Sequence, residues 1–231
     1  MYGFKRRNPG GMAQYMVYPV EALVYKISKD LPPAHAAFTE PLSCSLHAVE
    51  RADIKFEDVV VVAGCGPIGL GMIAGAAAKY PAQVVALDMA PAKLELARLC
   101  GATRTVNISE EDPIEVVRAL TDGYGADVYL EGTGHPSAVG QGLNLLRKLG
   151  TYVEYGVFGS DVTVDWSIIS DDKELDIRGA HSVRTAGRPR SGCSSPASCP
   201  WTRSAPTSCP WRTSRRAWTW WRTAPRASRC P

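Results

Sequence analysis

The sequence lacks several features that would assign it to whole classes of protein. None of its seven cysteines forms a CxxC pair, so neither a zinc ribbon nor a disulfide framework is indicated. No apolar run reaches the roughly 18 residues that a membrane-spanning helix needs, and no basic, apolar leader opens the chain. We therefore expect a cytoplasmic protein.

The last part of the chain lacks the residues that build a core. Residues 182–231 contain no Asp, Glu, Lys, Leu, Ile, Phe, Tyr or Met, but hold ten Arg and five of the six Trp. Subtracting these ten charges from the overall +3 leaves residues 1–181 at −7. A segment with so few aliphatic side chains cannot fold by itself. We predict an acidic globular body followed by a disordered basic tail.

The body alternates short β-branched runs with segments of helical periodicity. The six runs are 58–64, 83–88, 104–108, 126–132, 151–157 and 175–180. Four connections have apolar residues three and four apart, with Pro or Asp near their starts: 66–80, 90–102, 111–121 and 135–150. The fifth connection, 158–174, has no clear helical pattern. Strands that alternate with helices predict an α/β fold with a doubly wound, six-stranded parallel sheet.

The first run leads directly into "GCGPIG", which has the GxGxxG spacing and opens a predicted helix. Gly64 allows a tight turn, Gly66 lets the backbone approach a pyrophosphate, and Gly69 allows the helix to pack closely on the strand. Pro67 and Ile68 complete the turn, and the N–H groups at the helix start favour phosphate. This context predicts a dinucleotide-binding, Rossmann-type domain.

Asp88 ends the second run, 19 residues beyond Gly69. A carboxylate at this position can accept hydrogen bonds from the hydroxyls of the adenosine ribose. It would also repel a 2′-phosphate, and the following Met89 and Ala90 supply no arginine to receive one. The sequence therefore predicts NAD rather than NADP as the cofactor. The alternative is a simple glycine turn followed by a solvated aspartate.

The body resembles the zinc-containing medium-chain dehydrogenases, and within them the sorbitol and threitol/erythritol type. The resemblance rests on "GGMAQYMVYP", "EPLSCSLHAVERADI", "VVVAGCGPIGLGMIAGA", "GYGADVYLEGTGH" and "YVEYGVFGSDVTVDWSIISDDKELDIRGAH", and it ends at His181. It implies oxidation of a secondary alcohol of a polyol to a ketone, with NAD taking the hydride and zinc polarising the alcohol. Residues 1–55 then correspond to a remnant of the catalytic domain, and 56–181 to the NAD-binding domain.

Only part of the family's zinc site has a counterpart in this sequence. The family holds zinc with a cysteine, a "GHE" motif and the glutamate of an "EPL" motif, and only the last is present, at Glu40. Glu40 is thus the one candidate zinc-site carboxylate, although a carboxylate at a helix start is equally well explained by the helix dipole. We expect that zinc is not retained and that the chain as given does not turn over polyols.

Other candidate residues have weaker support. His35 and His47 lie in predicted helices without ligand partners at suitable spacing, so we expect structural roles. The resemblance places Lys93 near the adenosine ribose, although a lysine on a helix surface is usually only solvated. Val157 and Phe158 follow the fifth strand and are candidates for the nicotinamide pocket, with a core role as the alternative for Phe158.

Three hypotheses remain open at this stage. The first is a working polyol dehydrogenase, the second a non-catalytic NAD-binding remnant, and the third a nucleic-acid or membrane binder that uses the Arg- and Trp-rich tail. We favour a small-molecule substrate and expect neither nucleic acid nor membrane as a partner. A homo-oligomer is possible.

The tail composition leads to a prediction about the coding DNA. Suppose that residues 182–231 are translated in the wrong frame and that the true frame starts one nucleotide earlier. Trp-Thr then restores Asp and Trp-Trp restores Val, because Trp has the single codon TGG. The run "AWTWWR" then becomes a plausible amphipathic helix. We expect sequencing of the source DNA to reveal a one-nucleotide shift near the His181 codon. A single intact frame across that codon, together with a compact folded tail, would contradict the prediction.

Overall fold

The computed structural model describes residues 11, 13–18 and 26–182. Apart from Ser182, the predicted tail lies outside these residues. The elements in chain order are α1 Pro33–Ala37, α2 Thr39–Ala52, β1 Val59–Ala63, α3 Pro67–Ala77, β2 Gln83–Asp88, α4 Pro91–Leu99, β3 Arg104–Asn107, α5 Pro113–Leu120, β4 Ala126–Glu131, α6 Pro136–Leu145, β5 Leu146–Glu154, a π-helical turn Ile168–Asp172 and β6 Asp176–Gly179.

The six strands form one sheet in the order β3-β2-β1-β4-β5-β6, and every neighbouring pair is parallel. The prediction of a doubly wound, six-stranded parallel sheet is thus confirmed. The strand order reverses between β1 and β4, and ligands of such sheets bind at the carboxyl ends of the strands near this point. Of the helices described, none is long and apolar enough to cross a membrane.

The central strands are hydrophobic throughout because both faces of the sheet are covered. All five residues of β1 are buried, as expected for a parallel strand between two helical layers. On one face, side chains of α2, α3 and α4 pack over Val60, Val62 and Ala86. On the other face, side chains of α5, α6 and the segment 164–175 pack over Val61, Val85 and neighbouring residues.

Helix α2 packs tightly on α3, although the domain division predicted from the sequence places these two helices in different domains. The Ser45 hydroxyl donates to the Ile68 carbonyl oxygen at 2.8 Å and to the Pro41 carbonyl oxygen at 2.9 Å. A Cβ at Gly71 would lie 2.4 Å from Ser45 Oγ, so only glycine permits this approach. Helix α2 is therefore part of the layer that covers the sheet, and the proposed division after residue 55 stays a prediction.

The predicted helix over 135–150 is wrong in its last third. Helix α6 ends at Leu145 and strand β5 begins at Leu146, with an irregular register before Thr151. The Lys173 ammonium accounts for the early end, because it donates to the carbonyl oxygens of Leu143, Asn144 and Leu146 at 2.6–2.9 Å. These carbonyls would otherwise be left without partners at the helix terminus.

Candidate cofactor-binding site

The glycine-rich turn lies between β1 and α3, at the carboxyl edge of the sheet. Gly64 has φ +88°, a conformation that favours glycine, and its N–H donates to the Leu87 carbonyl oxygen at 2.8 Å. A Cβ at Gly69 would lie 1.7 Å from the Gly64 carbonyl oxygen. The helix start is therefore pressed directly against the end of β1, as the motif predicts.

The backbone of the same turn is exposed at the carboxyl edge of the sheet. Gly66 is the N-cap of α3 and is followed by Pro67 and Ile68, and no side chain caps the helix start. A Cβ at Gly66 would meet nothing within 4 Å. The first N–H groups of α3 therefore point to a place where an anionic group can approach the backbone closely.

Asp88 lies beside this turn at the end of β2. Its Oδ2 accepts a hydrogen bond from the Cys65 N–H at 2.8 Å, and its Oδ1 accepts from the Ala90 N–H at 2.9 Å. Lys93 Nζ lies 3.7 Å from Oδ2, and the two side chains are only 19% and 11% exposed, respectively. A carboxylate has about four acceptor positions, so Asp88 retains capacity for further donors such as ribose hydroxyls.

The loops that follow β4 and β5 complete the edge. A Cβ at Gly134 would lie 2.6 Å from the Val157 carbonyl oxygen, so the two loops touch through their backbones. The Val157 side chain is 80% exposed, and that of Phe158 is partly buried. Both residues lie at the predicted edge, and their role in a nicotinamide pocket stays a prediction.

A pair of glutamates that the sequence pattern did not reveal also lies at this edge. Glu131 ends β4 and is fully buried, and Glu154 is its register partner at the end of β5. Burial and the charge of Glu131 raise the pKa of Glu154 to about 8. The available signal was one glutamate in each of two consecutive predicted strands, each inside an otherwise apolar run.

The residues considered for metal binding do not form a complete metal site. Glu40 is exposed in the first turn of α2, and its Oε1 accepts a hydrogen bond from Cys44 Sγ at 3.2 Å. Burial raises the pKa of the Cys44 thiol, which disfavours the thiolate that binds metal. His35 lies in α1 and His47 in α2.

A stable zinc site needs three or four protein ligands. Within the described part of the chain, no group of three or more His, Cys, Asp or Glu side chains could hold a metal ion. The donor set therefore does not fit zinc. The position of Glu40 in the first turn of α2 agrees with the helix-dipole explanation, and its role as a ligand stays a prediction.

Comparison with known proteins supports the resemblance seen in the sequence. A sequence model of the family described as zinc-binding dehydrogenase matches residues 67–190. The chain is 76% identical over 181 residues to erythritol/L-threitol dehydrogenase of Mycolicibacterium smegmatis, covering 78% of this chain and 50% of that protein. It is 35% identical over 187 residues to sorbitol dehydrogenase of Halalkalibacterium halodurans, covering 80% of this chain and 54% of that protein.

A solved structure gives the same result. A zinc-binding dehydrogenase from Sinorhizobium meliloti, bound to NADP, is 28% identical with a TM-score of 0.65, covering 83% of this chain and 53% of that one. The chain thus spans about half the length of the curated relatives that it matches.

The contrast between two glycines of the turn gives a test of this geometry. Gly69→Ala places a methyl group on the Gly64 backbone, so we expect the free energy of unfolding to fall by about 3 kcal/mol or more. Gly66→Ala meets open space at φ −72°, so we expect a change within about 1 kcal/mol. Urea unfolding of both variants measures the difference, and equal destabilisation would contradict the close contact.

Proposed function

The chain belongs to the zinc-binding dehydrogenase family. We propose that it binds NAD and that its reaction is the oxidation of a secondary alcohol of a polyol to a ketone. The observation that carries this proposal is the junction between Asp88 and the glycine-rich turn, where the carboxylate accepts the Cys65 N–H beside the open backbone of Gly66. In a bound dinucleotide the pyrophosphate lies at the glycine-rich turn and the adenosine ribose lies next to it, at the carboxylate.

The cofactor would be held by a short stretch of chain and two loops. Gly64, Gly66 and Gly69, with Pro67 and Ile68 between them, would receive the pyrophosphate through backbone N–H groups. Asp88 would accept the ribose hydroxyls, with Lys93 beside it at 3.7 Å. Val157 and Phe158 would border the nicotinamide, which takes the hydride when the cofactor is bound.

We propose NAD rather than NADP as the preferred cofactor. Asp88 already accepts two backbone N–H groups, which hold its carboxylate where the 2′-substituent of the ribose would lie. A negative charge at that point attracts hydroxyl donors and repels a phosphate. The NADP-bound S. meliloti relative is a reason to test this choice by experiment.

Two substitutions of Asp88 separate its charge from its shape. Asp88→Ala removes a charged acceptor, so we expect NAD binding to weaken about tenfold. Asp88→Asn keeps an acceptor for the Cys65 N–H but removes the charge that repels the 2′-phosphate of NADP. We therefore expect the ratio of NAD affinity to NADP affinity to fall in this variant. Calorimetric titration measures both affinities, with Glu110→Ala on the exposed surface as a control. An unchanged ratio in both variants would show that Asp88 does not select the cofactor.

The polyol substrate is proposed from the 76% identity to erythritol/L-threitol dehydrogenase. In the family zinc acts as a Lewis acid that lowers the pKa of the alcohol. The described residues of this chain offer Glu40 and no complete ligand set, so we derive no catalytic step through zinc. This observation also favours a second candidate function, namely NAD binding without catalysis.

Metal content and turnover separate the two candidates. We expect the purified 231-residue chain to bind less than one zinc per chain and to produce no NADH with erythritol, threitol or sorbitol, because too few ligands converge. Elemental analysis and absorbance of NADH measure both quantities, and the M. smegmatis relative serves as the positive control. Stoichiometric zinc with polyol-dependent NADH formation would establish the working enzyme.

The remaining expectations on partners and location stay predictions. We propose a small-molecule substrate and a cytoplasmic protein, with a homo-oligomer possible. The hypothesis of a nucleic-acid or membrane binder depends on residues 183–231, which lie outside the described residues. Retention on RNA that falls with rising salt concentration would support it.

A further inference from the structure

The carboxyls of Glu131 and Glu154 lie side by side at the ends of two paired strands. Their Cα atoms are register partners in the β4–β5 pair, and both side chains belong to the sheet face that holds Tyr129 and Tyr152. The Glu131 side chain is fully buried. Oε1 of Glu154 is also buried, and no donor within residues 26–182 reaches it. Its one acidic neighbour can be a hydrogen-bond partner only if a proton lies between them.

The hydrogen bonds around the pair indicate which carboxyl carries that proton. Oε1 of Glu131 accepts from the Thr133 N–H at 2.7 Å, from the Thr133 hydroxyl and from the Gly134 N–H at 3.1 Å. Three donors thus reach this one carboxyl. Fewer donors reach Glu154, namely the Tyr152 hydroxyl at 3.1 Å and the Gly156 backbone N–H. Two neighbouring carboxylates with so little access to water cannot both be ionised at little cost, so Glu154, which has fewer donors, is the member that favours a proton.

We propose that Glu131 and Glu154 share one proton and that this hydrogen bond positions the loops 132–135 and 155–159, against which the nicotinamide end of the cofactor binds. The inference rests on the proposed cofactor site. Both glutamates are positioning residues, because they act through the two loops and do not touch the cofactor themselves.

The loops depend on the pair through close backbone contacts. The Tyr155 N–H donates to the Glu131 carbonyl oxygen at 3.2 Å. A Cβ at Gly156 would lie 2.0 Å from Glu131 Oε2 and 2.6 Å from the Gly134 nitrogen. The Glu131 carboxylate therefore fills the space between the two loops. A second negative charge beside it would repel the Glu131 carboxylate, which lies against the β5 loop.

The ionisable groups around the pair are few. Strand β4 contributes Tyr129, and β5 contributes Tyr152, whose pKa is raised above its ordinary value by burial and by Glu154. Strand β6 places Gly179 opposite Glu154, and α6, "PSAVGQGLNL", has no ionisable side chain. On the adjoining loops, His135 contacts Ser137, and Asp161 and Asp165 are exposed.

The proton gives the site a pH dependence of known sign. The pKa of Glu154 is raised by burial and by Glu131 from its ordinary value near 4.5 to about 8. In this window the folded chain holds a proton that the unfolded chain has lost, so the stabilisation is complete below the window and disappears as the pH rises through about 8. Cofactor binding that requires the protonated pair is lost over the same upper range.

The test compares NAD affinity at pH 7 and pH 9 in the 231-residue chain. We expect the wild-type dissociation constant to rise about tenfold, because the protonated fraction falls by that factor. Glu154→Gln should show no such rise, since its amide donates to Glu131 at every pH. Glu154→Leu should bind weakly at both pH values. Glu57→Gln, which changes an exposed glutamate, is the matched control and should behave as wild type.

Two further readouts need no bound cofactor. Infrared spectra at pH 7 should contain a carbonyl band of a protonated carboxylic acid in wild type that is absent in Glu154→Gln. Amide exchange of Thr133 and Gly134 at pH 9 should be faster in wild type than in Glu154→Gln. Absence of NAD binding at every pH would overturn the proposed function. The infrared and exchange measurements would still show whether Glu131 and Glu154 share a proton. Identical spectra and exchange in the two proteins, or an equal pH dependence of binding, would overturn the shared proton.

Discussion

The arrangement of the site depends on one backbone contact, between Gly64 and Gly69. It allows α3 to start directly on the end of β1, where a Cβ would lie 1.7 Å from a carbonyl oxygen. Once α3 is placed there, the Cys65 N–H points to Asp88 on β2 at 2.8 Å, and the Gly132 N–H donates to the Ala63 carbonyl oxygen at 3.0 Å. The ends of β1, β2 and β4 are thereby held together at the reversal of strand order.

Three carboxyls lie along this edge, and their surroundings give them different chemistry. Asp88 has Lys93 at 3.7 Å and is partly exposed, so its charge is available to a ligand. Glu131 is fully buried, and burial together with Glu131 raises the pKa of Glu154, so a second charge at this pair is costly. The same functional group is thus proposed to serve recognition at one strand end and positioning at the next two. The difference arises from solvent access and from the number of nearby donors.

The sequence was sufficient for the features that depend on local pattern. Continuous apolar runs predicted the buried strands, and the glycine spacing predicted the turn with Asp88 beside it. It was insufficient where distant residues decide. The end of α6 depends on Lys173, 27 residues beyond Leu146, and the glutamate pair depends on the register of β4 with β5. Neither the end of α6 nor the pairing of the glutamates can be predicted from the spacing of residues that are close in the sequence.

The difference between local and distant determinants also distinguishes the proposed binding of NAD from the binding of zinc. The groups proposed for the adenosine and pyrophosphate of NAD lie within the single segment 64–93, so one strand-turn-helix-strand unit and the start of α4 bring them together. A zinc site instead needs three or four ligands converging from separate segments, and the described residues supply Glu40 without such partners. The proposed nucleotide recognition therefore needs only one segment of this sheet, whereas alcohol activation by metal requires an assembly of segments that residues 26–182 do not make.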